Sequence, residues 1–313
     1  MTVEPRQAVQ NVIDTLAGQY LQGKIEALKR AMTSLLAGGH LLIEDIPGLG
    51  KTTLVLALAN ALGLSFGRIQ CTSDLLPSDI TGLSIFERER SEFRFLQGPI
   101  FNNLVLADEI NRAMPKTQSA LLEAMEERRV TVEGKTYPLP EPFMVIATQN
   151  PVEQVGTYPL PESQLDRFLI TTGIGYPPAE MEKAIISTGS IRDGIREIEP
   201  LVTTEQLLAA RREVRASVHL AQPVVEYIYR LTAATRDNEL LLTGLSTRAA
   251  ISLADAARAY AYLAGRDHIL PEDIKTMFAP VCAHRIIARP EHETLDRKEI
   301  LQSLLDEIDV PLA

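Results

Sequence analysis

The chain has 313 residues, 45% of them hydrophobic, 23% charged and 5% aromatic, with 31 Lys and Arg against 41 Asp and Glu. That length suggests two domains or one large one, and the apolar content supports a packed core, which excludes a disordered, collagen-like or disulfide-built protein. A formal net charge of −10, a pI near 5.1 and the lack of any block of Lys and Arg argue against nucleic acid as the main partner.

The N-terminus, Met1-Thr2-Val3-Glu4-Pro5-Arg6, has no apolar segment of signal-peptide type. No uncharged apolar window of about 18 residues occurs, so no membrane span is expected. Cys71 and Cys282 stand in unrelated contexts and form no metal-ligand pair. A reducing, cytoplasmic setting is the expectation.

Short apolar runs of strand length come next: His40 to Ile43, Leu104 to Ala107, Phe143 to Ala147 and Phe168 to Ile170. They do not alternate with polar residues, which is how strands covered on both faces of a parallel sheet read. Helical stretches such as Leu54 to Leu62 and Lys116 to Glu127 lie between them. Strand–helix alternation predicts a doubly wound α/β structure.

Two segments do not fit a minimal sheet. Residues 74–98 are mixed and polar and include Glu87-Arg88-Glu89-Arg90. Residues 129–140 read as a hairpin: Val130 and Val132 alternate with Arg129 and Thr131, Glu133-Gly134 turns, and Thr136-Tyr137 returns. After Gly175-Tyr176-Pro177-Pro178 the strand-like runs stop and helical periodicity takes over. Val224, Val225, Ile228, Leu231 and Thr232 share one helix face, and Ala250, Ile251, Ala254, Ala257 and Ala261 another. Leu270-Pro271-Glu272-Asp273 reads as a helix start. The expected division is 1–177 and 178–313.

The strongest local signal is Glu44-Asp45-Ile46-Pro47-Gly48-Leu49-Gly50-Lys51-Thr52-Thr53, which follows an apolar strand and opens an apolar helix. Glycines let backbone N–H groups curl around a phosphate, and the helix N-terminus adds partial positive charge. A cation in the first helical turn opposes the helix dipole by about 0.3–1 kcal/mol, so Lys51 makes sense beside an anion. Pro47 to Thr53 are therefore candidate nucleotide contacts. Lys51 would reach the β/γ-phosphates, and the Thr52 hydroxyl would hold Mg²⁺. The common pattern has Gly where this chain has Asp45.

Leu104-Val105-Leu106-Ala107-Asp108-Glu109 is a buried strand ending in two acids at a sheet edge where ligands bind. Asp108 is the candidate for the Mg²⁺ shell, and Glu109 for orienting or deprotonating the attacking water. Asn150, after the strand Phe143 to Ala147, is placed to hydrogen-bond a γ-phosphate and that water.

Five runs in one order carry a resemblance to the MoxR-type AAA+ ATPases. They are the phosphate loop, Asp108 to Ala113, Lys116 to Met125, Ala147 to Pro151, and Gln164 to Phe168. The likeness spans most of the chain from about Gly18-Gln19. It implies an AAA+ αβα parallel-sheet core with a phosphate loop, followed by a smaller all-α lid. It also implies Mg-dependent ATP (or ADP) binding with Gly18 at the site, Walker B roles for Asp108 and Glu109, and a sensor role for Asn150. Arg167 matches the arginine offered to a neighbouring subunit's nucleotide. Arg248, in Thr243-Gly244-Leu245-Ser246-Thr247-Arg248, matches a second sensor reaching from the lid to the γ-phosphate. Residues 74–98 match the helix-2 insert and 129–140 the pre-sensor hairpin. The resemblance further implies a homo-oligomer, a hexameric ring, and a chaperone-like role on partner complexes, typically with a von Willebrand factor A domain protein.

Both arginines also have a direct rationale. Guanidinium is planar, permanently charged and matched to phosphate oxygens. Arg248 falls in a first helical turn after the N-cap candidates Ser246 and Thr247, where a phosphate would relieve its conflict with the dipole. His40, His219, His268, His284 and His292 show no spacing that suggests zinc, Cys71 beside Arg68-Ile69-Gln70 reads as packing, and Glu126-Glu127-Arg128-Arg129 reads as a solvated helix end. A chelatase-type motor subunit, a non-catalytic nucleotide-gated scaffold and a nucleic-acid remodeller remain alternatives on the residues alone.

Overall fold

The computed structural model describes residues 4–89, 91–152, 155–188 and 192–311. Two helices, α1 (Pro5–Thr15) and α2 (Ile25–Ala37), precede the first strand, β1 (Leu41–Glu44). Then follow α3 (Lys51–Ala61), β2 (Phe66–Gln70), α4 (Pro77–Thr81), β3 (Gly82–Glu87), β4 (Glu92–Gln97) and β5 (Leu104–Asp108). After these come α5 (Pro115–Glu127), β6 (Arg129–Val132), β7 (Lys135–Pro138), β8 (Met144–Gln149), α6 (Glu162–Leu165) and β9 (Ile170–Thr172).

Five strands form one parallel sheet in the order β2-β5-β8-β1-β9. Its apolar runs do not alternate because both faces are covered, and the packing shows it residue by residue. Leu41, Ile43, Leu104, Leu106, Met144 and Ile146 join one core, while Leu42, Val105, Ala107, Val145 and Ala147 join the other. The first core is roofed by α1, α2, α3 and the C-terminal helices, the second by α5.

Residues 74–98 become α4 and the antiparallel hairpin β3–β4, paired from Gly82↔Gln97 to Glu87↔Glu92. Arg90 lies outside the described residues. Residues 129–138 form the expected second hairpin, with Glu133 and Gly134 both at positive φ (51° and 78°), the backbone a two-residue mirror-type turn requires.

The C-terminal part comprises α7 (Ala179–Thr188), α8 (Arg192–Arg196), α9 (Thr204–Ser217), α10 (Gln222–Arg236), β10 (Leu241–Thr243), α11 (Thr247–Leu263), α12 (Pro271–Cys282), β11 (Ile287–Ala288) and α13 (Arg297–Glu307). It departs from an all-helical lid in one respect: β10 and β11 pair as a short antiparallel ladder. The expected helix faces hold except at two positions. Val224, Ile228, Leu231 and Thr232 are buried, as are Ala254, Ala257 and Ala261, whereas Val225 and Ile251 face solvent at 37% and 59% exposure. Each lies on the flank of its stripe, next to residues that point away. α12 starts at Pro271 as expected, with Asp273 accepting from the Leu270 N–H. Among the described residues, no helix is long and apolar enough to cross a membrane.

Candidate functional site

The turn between β1 and α3 is built by two glycines at positive φ, Gly48 (89°) and Gly50 (83°), a conformation that disfavours side chains. Gly50 is the N-cap of α3 and provides no side-chain cap, so the first N–H groups of that helix are left for a ligand. These residues line a cavity of about 560 Å³, within the size range of small-molecule sites. Pro47 to Thr53, Asp108, Glu109, Thr148 and Asn150 form one part of its wall. Tyr20, Leu21, Pro177, Met181 and Ile185 form an apolar part suited to a flat ring.

Lys51 is buried, and its ammonium donates to the Asp45 carbonyl. Burial depresses its proton affinity, while the charges of Asp45, Asp108 and Glu109 act the other way. Asp108 ends β5, and its carboxylate is held by two donors: Thr148 Oγ1 at 2.8 Å to Oδ1 and Arg68 Nη2 at 2.8 Å to Oδ2. Thr148 Oγ1 also accepts from the Glu109 N–H at 2.9 Å. Glu109 has left-handed backbone (φ 57°), strained for a non-glycine residue, and its carboxylate accepts from Arg112 at 3.1 Å. Asn150 follows β8, its Oδ1 accepting from Val152 N–H at 3.2 Å. Thr52 and Asp108 present a hydroxyl and a fixed carboxylate on one wall, an all-oxygen donor set that fits Mg²⁺ shared with phosphates.

Three expected site residues lie elsewhere. Gly18 sits in the π-helical turn Leu16–Tyr20, where its carbonyl accepts from Gln22 Nε2, and it does not line the cavity. Neighbouring Tyr20 to Gln22 and Lys24 do. Arg167 and Arg248 line a second cleft with Glu126, Asp166 and Arg285. Arg248 follows the N-cap Ser246 as expected, yet it points to Glu126, the carboxylate that Arg167 also reaches, and not to Lys51 of its own chain. Glu126 accepts from Arg167 Nε at 2.9 Å and from Arg248 Nη2 at 3.2 Å. These two bonds, that of Arg167 first, hold its carboxyl below the usual range. Asp166 is fixed by the buried Arg285 at 2.7 Å, and Arg285 also donates to the carbonyls of Val281, Phe168 and Leu169.

The run 126–129 is thus not a plainly solvated helix end. Glu126 joins the arginine cleft, and Arg128, at φ 56°, donates to the carbonyls of Gly38 and Phe143, so it turns inward at the end of α5. His40 is buried as a satisfied neutral ring: Nδ1 accepts from Val145 N–H at 2.9 Å, which leaves Nε2–H to donate to Met125 O at 3.1 Å. Burial and Arg128 lower its pKa to about 3. Cys71 and Cys282 are free and buried, with burial pushing both thiols up to about 12.

Sequence reasoning missed Lys24, Arg68, Arg112, Thr148 and Glu126. Lys24 Nζ donates to the Leu49 carbonyl at 2.6 Å and lines the cavity. Its only sequence signal was proximity to the Gly18-Gln19 start of the resemblance. Thr148 sat inside a run quoted for that resemblance, and Arg68 within the strand-like run Arg68-Ile69-Gln70. Neither carried a spacing that singled it out.

Fold and cleft together define a phosphate-loop nucleotide-binding module with a helical lid. Two family models match the chain: ATPase family associated with various cellular activities (AAA) over residues 40–170, and AAA lid domain over residues 233–304. The chain is 46% identical to the uncharacterized protein YeaC of Bacillus subtilis, covering 93% of this chain and 91% of that one. It is 41% identical to chaperone MoxR1 of Mycobacterium tuberculosis (85% and 72%) and 31% identical to protein MoxR of Paracoccus denitrificans (91% and 90%). A crystal structure of a candidate ATPase from Cytophaga hutchinsonii superposes with a TM-score of 0.88 at 39% identity, covering 98% of this chain and 96% of that chain. The chain belongs to the MoxR family of AAA+ ATPases.

Proposed function

We propose that the protein hydrolyses ATP with Mg²⁺ and uses the cycle, in a chaperone-like way, to mature or activate partner protein complexes. The observation that carries the ATPase reading is one cavity that gathers an uncapped helix N-terminus, Lys51, Asp108, Glu109 and Asn150. Pro47 to Thr53 bind the phosphates through backbone N–H groups, and Lys51 turns from the Asp45 carbonyl to the β/γ-oxygens. Thr52 and Asp108 hold the Mg²⁺, which when bound spreads the charge that develops on the transferred phosphoryl group. Glu109, steadied by Arg112, orients the attacking water and draws its proton. Asn150 bonds that water and the γ-phosphate.

The reaction is completed from a second chain. Arg167 and Arg248 share a carboxylate in a cleft apart from the cavity of their own subunit, and we assign both to the nucleotide of a neighbour. This requires a homo-oligomer, for which a hexameric ring is the family arrangement. A von Willebrand factor A domain protein as partner, and a cytoplasmic site of action, rest on the family resemblance.

Replacing Glu109 with Gln tests the chemistry. ATP binding by calorimetry is retained while turnover falls about 10²- to 10⁴-fold. Undiminished turnover would sink the assignment. A strict monomer in sedimentation with a non-hydrolysable ATP analogue would count against the shared site.

A further inference from the structure

Asp45 stands where the common phosphate-loop pattern has glycine, and the structure gives its side chain a task. Asp45 Oδ2 accepts two backbone N–H bonds, from Ile174 at 2.6 Å and from Gly175 at 2.9 Å. These residues begin the connection between β9 and α7. The chain passes close to the carboxylate, because a Cβ on Gly173 would lie 3.4 Å from Asp45 Oδ2. Two residues beyond Gly175, the same connection reaches the cavity wall: Pro177, then Met181 and Ile185 of α7, line the apolar part. The Asp45 carbonyl, meanwhile, accepts from Lys51, the phosphate-binding ammonium. One residue thus touches the resting phosphate-loop lysine through its backbone and the crossing to the lid through its carboxylate. A carboxylate accepting two N–H groups makes stronger bonds than a neutral acceptor, and a glycine makes none. From the other side Lys24 fixes the loop at the Leu49 carbonyl, and its charge is coupled to that of Asp45.

We propose that Asp45 is a positioning residue that ties the phosphate loop to residues 174–175, so that occupancy of the loop sets how Pro177, Met181 and Ile185 close on the nucleotide. The proposal rests on nucleotide binding in this cavity and adds the link between its two ends. Binding draws Lys51 off the Asp45 carbonyl. The loop backbone then shifts, and the carboxylate carries the shift to the connection.

The test uses the full chain, Asp45→Gly and Asp45→Asn, and ADP with Mg²⁺ as the probe. Amide hydrogen exchange is read at single residues with and without ADP. In nucleotide-free Asp45→Gly, exchange at Ile174 and Gly175 rises at least about tenfold, while amides of β5 and β8 keep their wild-type rates. ADP affinity drops about tenfold, and bound ADP no longer slows exchange over 177–185 as it does in the wild type. Asp45→Asn keeps an acceptor oxygen and restores most of the protection at 174–175. Wild-type protection at 174–175 in Asp45→Gly, or an undiminished ADP response over 177–185, overturns the proposal. If the wild type itself bound no ADP, the nucleotide reading would fall, whereas the nucleotide-free exchange would still decide whether Asp45 holds the connection.

Discussion

Thr148→Val isolates one hydroxyl that supports both Asp108 and Glu109. Thr148 is buried, with 1% exposure, and valine matches its shape. Two bonds vanish: the donation to Asp108 Oδ1 at 2.8 Å and the acceptance from the Glu109 N–H at 2.9 Å. A hydrogen bond to a charged group contributes about 1.5–3 kcal/mol, and a buried N–H left without a partner costs about 1–3 kcal/mol. Arg68 remains on the other Asp108 oxygen, and the pocket admits water, so the sum is discounted to about 2–4 kcal/mol. At roughly 2 °C per kcal/mol for a chain of this size, the melting temperature falls by about 4–8 °C. The same N–H bond helps hold Glu109 in its left-handed conformation, so turnover falls more than ATP affinity. Urea titration, thermal melting and steady-state ATPase assays measure these effects, with Thr148→Ser as the variant that keeps the hydroxyl. A Thr148→Val protein within about 0.5 kcal/mol of wild type, or one whose activity loss matches that of Thr148→Ser, would refute the reasoning.

Two further outcomes are expected. Glu126 grips Arg167 through Nε, leaving its terminal nitrogens for phosphate, so Glu126→Gln loosens the fork and lowers turnover roughly 10- to 100-fold without changing ATP affinity; equal turnover in calorimetrically matched samples would contradict this. His40 titrates near 3 when folded against an ordinary value of 6.5, so the unfolded chain binds the extra proton between those values. Its stabilising contribution is complete above about pH 6.5 and is lost as pH falls toward 3, at up to about 1.4 kcal/mol per pH unit. Urea midpoints between pH 7 and 5 should show a shallower slope in His40→Gln than in wild type, and identical slopes would exclude this role.

The sheet was legible because buried parallel strands leave uninterrupted apolar runs, and the phosphate loop because glycine, lysine and a following helix form a tight pattern. The small ladder β10–β11 was not: three residues against two give no periodicity, and its pairing joins segments more than forty residues apart. Val225 and Ile251 show the limit of helical stripes, since burial at a flank depends on a neighbour that the sequence does not place. The cavity's phosphate end was visible in motifs that cluster along the chain. Its supports were not, because Lys24, Arg68 and Thr148 act through contacts across the fold. Arg248 makes the same point: its helix start was readable, but its direction follows from how α11 packs against α2 and α12.

The central claim is that the cavity with Lys51 and the cleft with Arg167 and Arg248 form one active site only across two chains. Mixing Lys51→Ala and Arg167→Ala proteins tests it most directly. Each variant alone is inactive, the first for lack of a working pocket and the second for lack of the donated arginine. Random mixed assembly at equal amounts, verified by native mass spectrometry, pairs an intact pocket with an intact arginine at about a quarter of the interfaces. ATPase activity therefore returns to about a quarter of wild type. Mixed assemblies that recover no activity, or an Arg167→Ala protein that turns over ATP at the wild-type rate by itself, would contradict the account.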